Sequence, residues 1–332
     1  MAAGGEAVRV LITGSSGQIG TNLGLALLDA GHAVVGLDIR PNPWTGRIDT
    51  HLVDLAVPLV EGTAGRAAIA ANGPVDAVIH LAAHAKVHAL VERPWGAVEN
   101  HLMVANALEL ARNAGVPILL ASSREVYGNH VARGAPVAEG HADFRAVPSP
   151  YAAMKLAGEG LAASYRRCYG LPFSVIRFSN VYGRYDHDLE RLERAIWVFR
   201  DRIARGMAVT VYGAEKVLDF THVDDAVAGT VACLMALVAG NPAVVGETFN
   251  VAHGTGHRLL DVVDLVAGAV GRAPDVRIEP SRAGEVTWYV ADISRARAAF
   301  GYDPRVPVTI GVPRAIREAP PVAGTWAEVR TA

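Results

Sequence analysis

The stretch from Val8 to Gly31 constrains this chain more than any other. VRVLITG is a β-branched, apolar run that reads as a buried parallel strand; Gly14, Gly17 and Gly20 follow at once, then an apolar helical pattern that stops at Gly31. Strand, glycine turn and helix stand in the order a dinucleotide site needs. Glycines let the backbone approach a pyrophosphate, and the helix N-terminus offers free N–H groups to its charge. The spacing is GxxGxxG rather than GxGxxG, and a glycine triplet alone also marks ordinary turns. The surrounding segments therefore carry the argument. AVVGLD is a second strand ending in Asp38, whose carboxylate can accept both ribose hydroxyls and would repel a 2′-phosphate. That favours NAD, with Arg40 the feature that keeps NADP open. HLVDL reads as a third strand with Asp54 at its end, either a contact to the adenine edge or a plain surface carboxylate.

The 332 residues are 51% hydrophobic and only 19% charged, with a net charge of −2, which describes a compact globular protein with no general attraction to nucleic acid or anionic membrane. The arginines from Arg191 to Arg205 alternate with Glu190, Glu193 and Asp201, as on a solvated helix face. Two cysteines far apart and no leader-like segment before Val8 point to the cytoplasm. The apolar run 226–240 is short for a bilayer span and follows Asp224 and Asp225, so it reads as a buried helix.

Strand-like and helical segments alternate through residue 180: VDAVIHLAA (75–83), a helix near 95–114, PILLASS (117–123), a helix from about 150 to 169, and PFSVIRFSN (172–180). This predicts an α/β fold, a doubly wound parallel sheet of Rossmann type with a smaller α/β substrate lobe. The expected division is 1–180 for the dinucleotide, with segments around 218–252 returning to it, and 181–332 mainly for the substrate. A long helix over 187–205 and short strands at VTVYG, VLDFTHV, ETFNVA, VRIEP and WYVAD follow. The Gly-, Pro- and His-rich segment 128–150 reads as a loop over the active site.

YAAMK places Tyr151 and Lys155 four apart, on one face of a helix that begins after Pro148 and Pro150. A free phenol is a poor base at neutral pH, and a neighbouring ammonium favours the phenolate. Ser123, at the end of the fifth strand, can hydrogen-bond the same substrate oxygen. Such a Tyr–Lys pair alone is a commonplace of helix surfaces. With a serine-bearing strand end and a nucleotide turn upstream, it reads as acid/base machinery beside a hydride carrier.

Taken with HLAA (80–83), SSREVYG (122–128), SPYAAMK, RFSNVYG (177–183), LDFTHVDD (218–225) and RAGEVTWYVAD (282–292), these motifs make the chain resemble the extended short-chain dehydrogenase/reductases, in particular nucleotide-sugar epimerases of the UDP-glucose 4-epimerase type. The resemblance covers almost the whole chain. It implies tightly held NAD, a nucleotide-sugar substrate, and a homodimer paired through the helices near 95–114 and 150–169. It places Gly14, Gly17, Gln18, Ile19, Gly20, Asp38, Asp54, Leu55, Leu81, Ala82, Ala83, Lys86 and Asn100 on the cofactor with Tyr151 and Lys155. Ser123, Tyr151 and Lys155 are then catalytic, and Ser123, Arg124, Glu125, Asn180, Arg191 and Arg282 face the substrate.

Three departures matter. Leu218 stands where the family usually has an arginine before Asp-Phe, so a phosphate contact is missing or comes from elsewhere. The segment RYDHDLERLER (184–194) could compensate through Arg191 or Arg194. Glu125 occupies the place of a catalytic glutamate in the related dehydratases and decarboxylases, but Arg124 replaces the acid that 4,6-elimination also requires. Epimerisation at C4 through a 4-keto sugar is therefore the expected activity. Dehydration or decarboxylation with Glu125 as base is the alternative, and a non-catalytic dinucleotide sensor a more distant one. His80, His84 and His88 do not share one helical face, so no metal site is expected.

Overall fold

A computed structural model of the protein describes residues 6–59, 73–187 and 194–320. Thirteen strands run in chain order: β1 (Arg9–Thr13), β2 (Ala33–Asp38), β3 (Asp49–Leu52), β4 (Ala77–His80), β5 (Ile118–Ser123), β6 (Phe173–Phe178), β7 (Asn180–Tyr182), β8 (Val209–Tyr212), β9 (Val217–His222), β10 (Thr248–Val251), β11 (Gly256–Arg258), β12 (Val276–Glu279) and β13 (Trp288–Tyr289), among the described residues. Seven form one sheet in the order β10-β6-β5-β4-β1-β2-β3. Every neighbouring pair in it is parallel.

The strand sequences explain why both faces of this sheet are covered. Successive side chains point to opposite faces, and here they enter two separate apolar clusters. Val10, Ile12 and Leu119 join the one that contains Leu23 and Leu27 of the helix Gln18–Asp29. Leu11, Ile118 and Leu120 join the other, with Ala107, Leu108 and Ala111 of the helix Trp95–Ala114 and Ala162 of the helix Pro150–Tyr169. A strand apolar at every position belongs in a sheet buried on both sides. The chain leaves β1 towards β2 and returns to β4 on β1's other side, so the strand order reverses between β1 and β4. Crevices for ligands open at the carboxyl ends of strands at such a point.

A second sheet joins β11, β9 and β13, with β7 alongside β9, and β8 pairs with β12. This corrects one expectation: of the segment 218–252, β9 belongs to the small sheet, paired antiparallel with β11 and parallel with β7 and β13. Only the helix Val223–Val238 and β10 go back to the large one. The helix expected over 187–205 spans Ala195–Arg205, and 188–193 lie outside the described residues.

The loop 128–150 departs from expectation too. Its residues 128–149 contribute nothing to the cleft wall, because they are stitched between β10 and the small sheet. Val137 N donates to Val290 O at 2.8 Å, and Glu139 Oε1 accepts from Asn250 N at 2.8 Å. Asn250 Nδ2 in turn donates to Val137 O and to Asp292 O, at 2.8 and 3.0 Å.

Candidate active site

A cleft of about 880 Å³ begins at the glycine turn and ends among residues of the small sheet. Gly14 adopts φ +73°, and a Cβ there would stand 2.7 Å from Ala82 N, so the loops after β1 and β4 touch at this point. A Cβ on Gly20 would lie 2.2 Å from Gly14 O, and on Gly17 3.3 Å from the same atom. The turn is thus closed tightly enough to bare its backbone, which is what a dinucleotide diphosphate needs. Asp38 holds the turn from the end of β2. Its carboxylate accepts from Ser16 N at 3.0 Å and Arg40 N at 3.2 Å. Arg40 donates to Ser16 O at 3.1 Å, which turns its guanidinium to the backbone of the glycine turn. These residues fit NAD.

Gly14, Gly17, Gln18, Ile19, Gly20, Asp38, Leu55, Leu81, Ala82, Ala83 and Lys86 all line the cleft, as do Ser123, Arg124, Glu125, Tyr151, Lys155 and Asn180. Three expected site residues do not. β3 stops at Leu52, and exposed Asp54 accepts from Ala56 N at 2.8 Å, closing a surface turn. Asn100 is buried; it accepts from His84 N at 2.6 Å and donates to His84 O at 3.0 Å, so it shapes the loop after β4. The Arg282 guanidinium stacks 3.7 Å from the centre of the Tyr212 ring, a cation–π contact that turns it from the cleft. Arg191 lies outside the described residues. The three histidines diverge: His80 Nδ1 bonds Thr13 Oγ1 at 2.8 Å, and His84 and His88 pair with Glu99 and Glu92.

Tyr151 and Lys155 owe their places to a well-made helix start. Ser149 accepts from Ala152 N at 3.3 Å, Pro150 opens the first turn, and Gly170 closes the other end in the left-handed conformation. Both side chains are buried. Burial pushes the Tyr151 phenol up to about 12 despite its hydrogen bond with Ser123. It also pushes the Lys155 ammonium down to about 8, against the pull of Glu159. The expected lowering of the phenol by Lys155 is therefore absent: Lys155 Nζ donates instead to Ala121 O at 2.8 Å and stands 5.8 Å from the tyrosine ring centre. Desolvation outweighs so distant a charge.

Four residues of this site had gone unread in the sequence. Lys216, just before β9, is buried and donates to Glu285 Oε2 at 2.5 Å, and both line the cleft. Its place directly before the strand, two residues from Leu218, was the available clue to Lys216. Asp186 accepts from Trp197 Nε1 at 3.0 Å, and burial raises its carboxyl to about 7. Tyr185 beside it holds φ +62°, a left-handed conformation costly for a bulky residue, and packs its ring against Trp44 at a 32° tilt, centres 5.5 Å apart. Directly after Ser123, Arg124 and Glu125 pair at 2.8 Å. Burial raises the Glu125 carboxyl while Arg124 and Lys216 oppose that.

The family model for the NAD dependent epimerase/dehydratase family matches residues 10–252. The chain is 32% identical over 323 residues to the UDP-glucose 4-epimerase of Mycolicibacterium smegmatis, covering 93% of this chain and 97% of that protein. It is 29% identical over 327 residues to the UDP-glucuronate 4-epimerase of Thermodesulfobacterium geofontis, covering 92% and 94%. The crystal structure of the Thermus thermophilus UDP-glucose 4-epimerase in complex with NAD superposes with a TM-score of 0.82 at 30% identity, over 94% of this chain and 100% of that one. Glycine turn, Asp38, Ser123, Tyr151 and Lys155 converge in one cleft within a match of this extent, and the chain belongs to the NAD dependent epimerase/dehydratase family.

Proposed function

We propose that this protein is a 4-epimerase of a UDP-linked sugar, with the cofactor held by the glycine turn and Asp38, and the sugar at Ser123 and Tyr151. The observation that carries the reading is the meeting of Ser123, Tyr151 and Lys155 in the same cleft as the glycine turn that starts at Gly14. The chemistry NAD supplies when bound is reversible hydride acceptance. Tyr151 takes the proton of the sugar C4 hydroxyl as the ketone forms, and returns it once the sugar has turned its other face. Ser123, bonded to the phenol, steadies the same oxygen. Lys155, buried one helical turn from Tyr151 and bonded to Ala121 O, would hold the nicotinamide ribose. Asn180 and Lys216 line the part of the wall where Leu218 removes the usual phosphate-binding arginine.

On this reading residues 1–180 with β10 serve the cofactor, and the rest of the chain chiefly serves the sugar. A homodimer through the helices Trp95–Ala114 and Pro150–Tyr169 accounts for the exposure of Trp95, Leu102 and Tyr169 on them. No described helix is long and apolar enough to cross a membrane, and unpaired Cys168 and Cys233 suit a reducing cytoplasm. Dehydration or decarboxylation would require Glu125 as a base, and Arg124 already occupies one of its oxygens.

The test is product analysis. Protein loaded with NAD should interconvert UDP-sugars differing only at C4, read by NMR, with unchanged mass and no net reduction of the cofactor. A product lighter by water or carbon dioxide would move the assignment to the alternative. Failure to convert any nucleotide sugar would defeat it.

A further inference from the structure

The short turn after Ser123 holds two atoms that no described residue satisfies. Arg124 and Glu125 lie on a single 3₁₀ turn, Arg124–Tyr127, and both side chains are nine-tenths buried in the cleft wall. Their pairing uses Arg124 Nη2 and Glu125 Oε1. Arg124 Nη1 and Glu125 Oε2 are left buried without a hydrogen-bond partner. An unpaired buried donor and an unpaired buried acceptor both cost stability, and on two adjacent residues of one cleft wall they ask for a ligand that answers both. The pair also belongs to the reacting end of the cleft, since the charges of Glu125 and Arg124 are both felt at the Tyr151 phenol, the first raising it and the second lowering it.

The charge count narrows the ligand. Lys216 and Glu285 form a second ion pair on the same wall, close enough for both to act on Glu125. The charges cancel within each of these two ion pairs, and Arg194, a third cation of the cleft wall that also acts on the Tyr151 phenol, pairs with Asp186 at 3.5 Å. A carboxylate placed here would gain Arg124 Nη1 but press against Glu125 Oε2. An ammonium would meet the reverse conflict. A neutral group that both donates and accepts satisfies both atoms: a hydroxyl, or an acylamino group through its N–H and C=O.

Resting on the epimerase reading above, we propose that Arg124 and Glu125 form a specificity subsite that accepts a neutral, donating-and-accepting substituent near the reacting carbon and rejects hexuronates and free aminosugars. The ion pair acts through rejection as much as attraction, because each member turns away the charge its partner would welcome.

Calorimetry on NAD-loaded protein tests this with UDP-glucose, UDP-N-acetylglucosamine, UDP-glucuronate and UDP-glucosamine, reading affinity independently of turnover. One of the first two should bind at least about tenfold tighter than either charged sugar, and which of them wins separates hydroxyl from acylamino. Glu125→Gln leaves Arg124 as an uncompensated cation, so UDP-glucuronate should gain at least about tenfold relative to the neutral ligands. The double variant Arg124→Met/Glu125→Leu fills the space with apolar groups, a replacement that buried ion pairs tolerate. It should melt near wild type and lose the discrimination. Equal or tighter wild-type binding of UDP-glucuronate, or an unchanged ratio in Glu125→Gln, overturns the subsite. The expected binding order with no epimerisation of any sugar would sink the activity and leave the subsite standing; preferential epimerisation of UDP-glucuronate would do the opposite. If none of the four binds, both fall.

Discussion

Lys155 stands one helical turn from Tyr151, with its ammonium 5.8 Å from the centre of the tyrosine ring and bonded to the Ala121 carbonyl at 2.8 Å. Burial moves the two groups in opposite directions, the phenol up to about 12 and the ammonium down to about 8. Each is therefore harder to charge than in water, and the protein bears that cost in the place where charge is needed.

For Lys155 the cost has a measurable sign. Its folded value of about 8 lies below the usual 10.5, so between those values the unfolded chain binds more protons and stability rises with pH. Below about 8 the penalty for a buried charge is present in full. Lys155→Met should abolish turnover and yet melt no lower than wild type at pH 7, with its relative advantage shrinking as pH approaches 10.5. Thermal melts of cofactor-free protein across that range check it, and a variant melting well below wild type at pH 7 would count against the account.

Tyr151→Phe removes the proton carrier and keeps the ring. Turnover should fall at least ~100-fold, the usual contribution of a positioned acid/base group, while bound NAD per protein stays the same. Near-normal turnover would remove Tyr151 from the mechanism.

The glycine turn makes a graded prediction. The added methyl of Gly20→Ala would sit 2.2 Å from Gly14 O, against 3.3 Å for Gly17→Ala. A few tenths of an ångström of relaxation accommodates the second and not the first. Gly20→Ala should lose NAD and Gly17→Ala should largely keep it, as read by absorbance of the cofactor released on denaturation. Equal retention by the two would contradict the geometry.

Asp38→Asn tests the choice of cofactor. The amide keeps an acceptor oxygen but removes the charge that opposes a 2′-phosphate. Wild type should prefer NAD, and the variant's preference over NADP should shrink by at least about tenfold. Calorimetry showing tighter NADP binding by wild type would reject the role of Asp38.

Residues 33–38 were readable as a strand because apolar β-branched runs have few other homes, and the helix Pro150–Tyr169 because its start and stop residues flank it directly. Tyr151, Lys155 and Ser123 were readable through order and spacing. Local spacing said nothing about what Arg282 would meet, since Tyr212 reaches it from a strand far away in sequence. The direction of the Tyr151 shift was hidden for a similar reason: the nearby ammonium is visible in YAAMK, but the desolvation that outweighs it depends on the whole fold. Lys216 went unread because a lysine in a turn looks like a solvated charge until the partner across the cleft, Glu285, is known.

The return of Thr248–Val251 to the end of the large sheet, beside β6, bears on how such a protein can be rebuilt. The chain leaves the sheet after residue 178, builds β7, β8 and β9 outside it, and comes back before adding β11, β12 and β13. A graft that exchanged everything after residue 180 would part β6 from its own outer neighbour, leaving a strand buried at every position with an open backbone edge, a template for aggregation. New specificities are therefore better grown by changing residues in place than by swapping the lobe as a cassette, and any recombination point must carry residues 248–251 along with the first half of the chain.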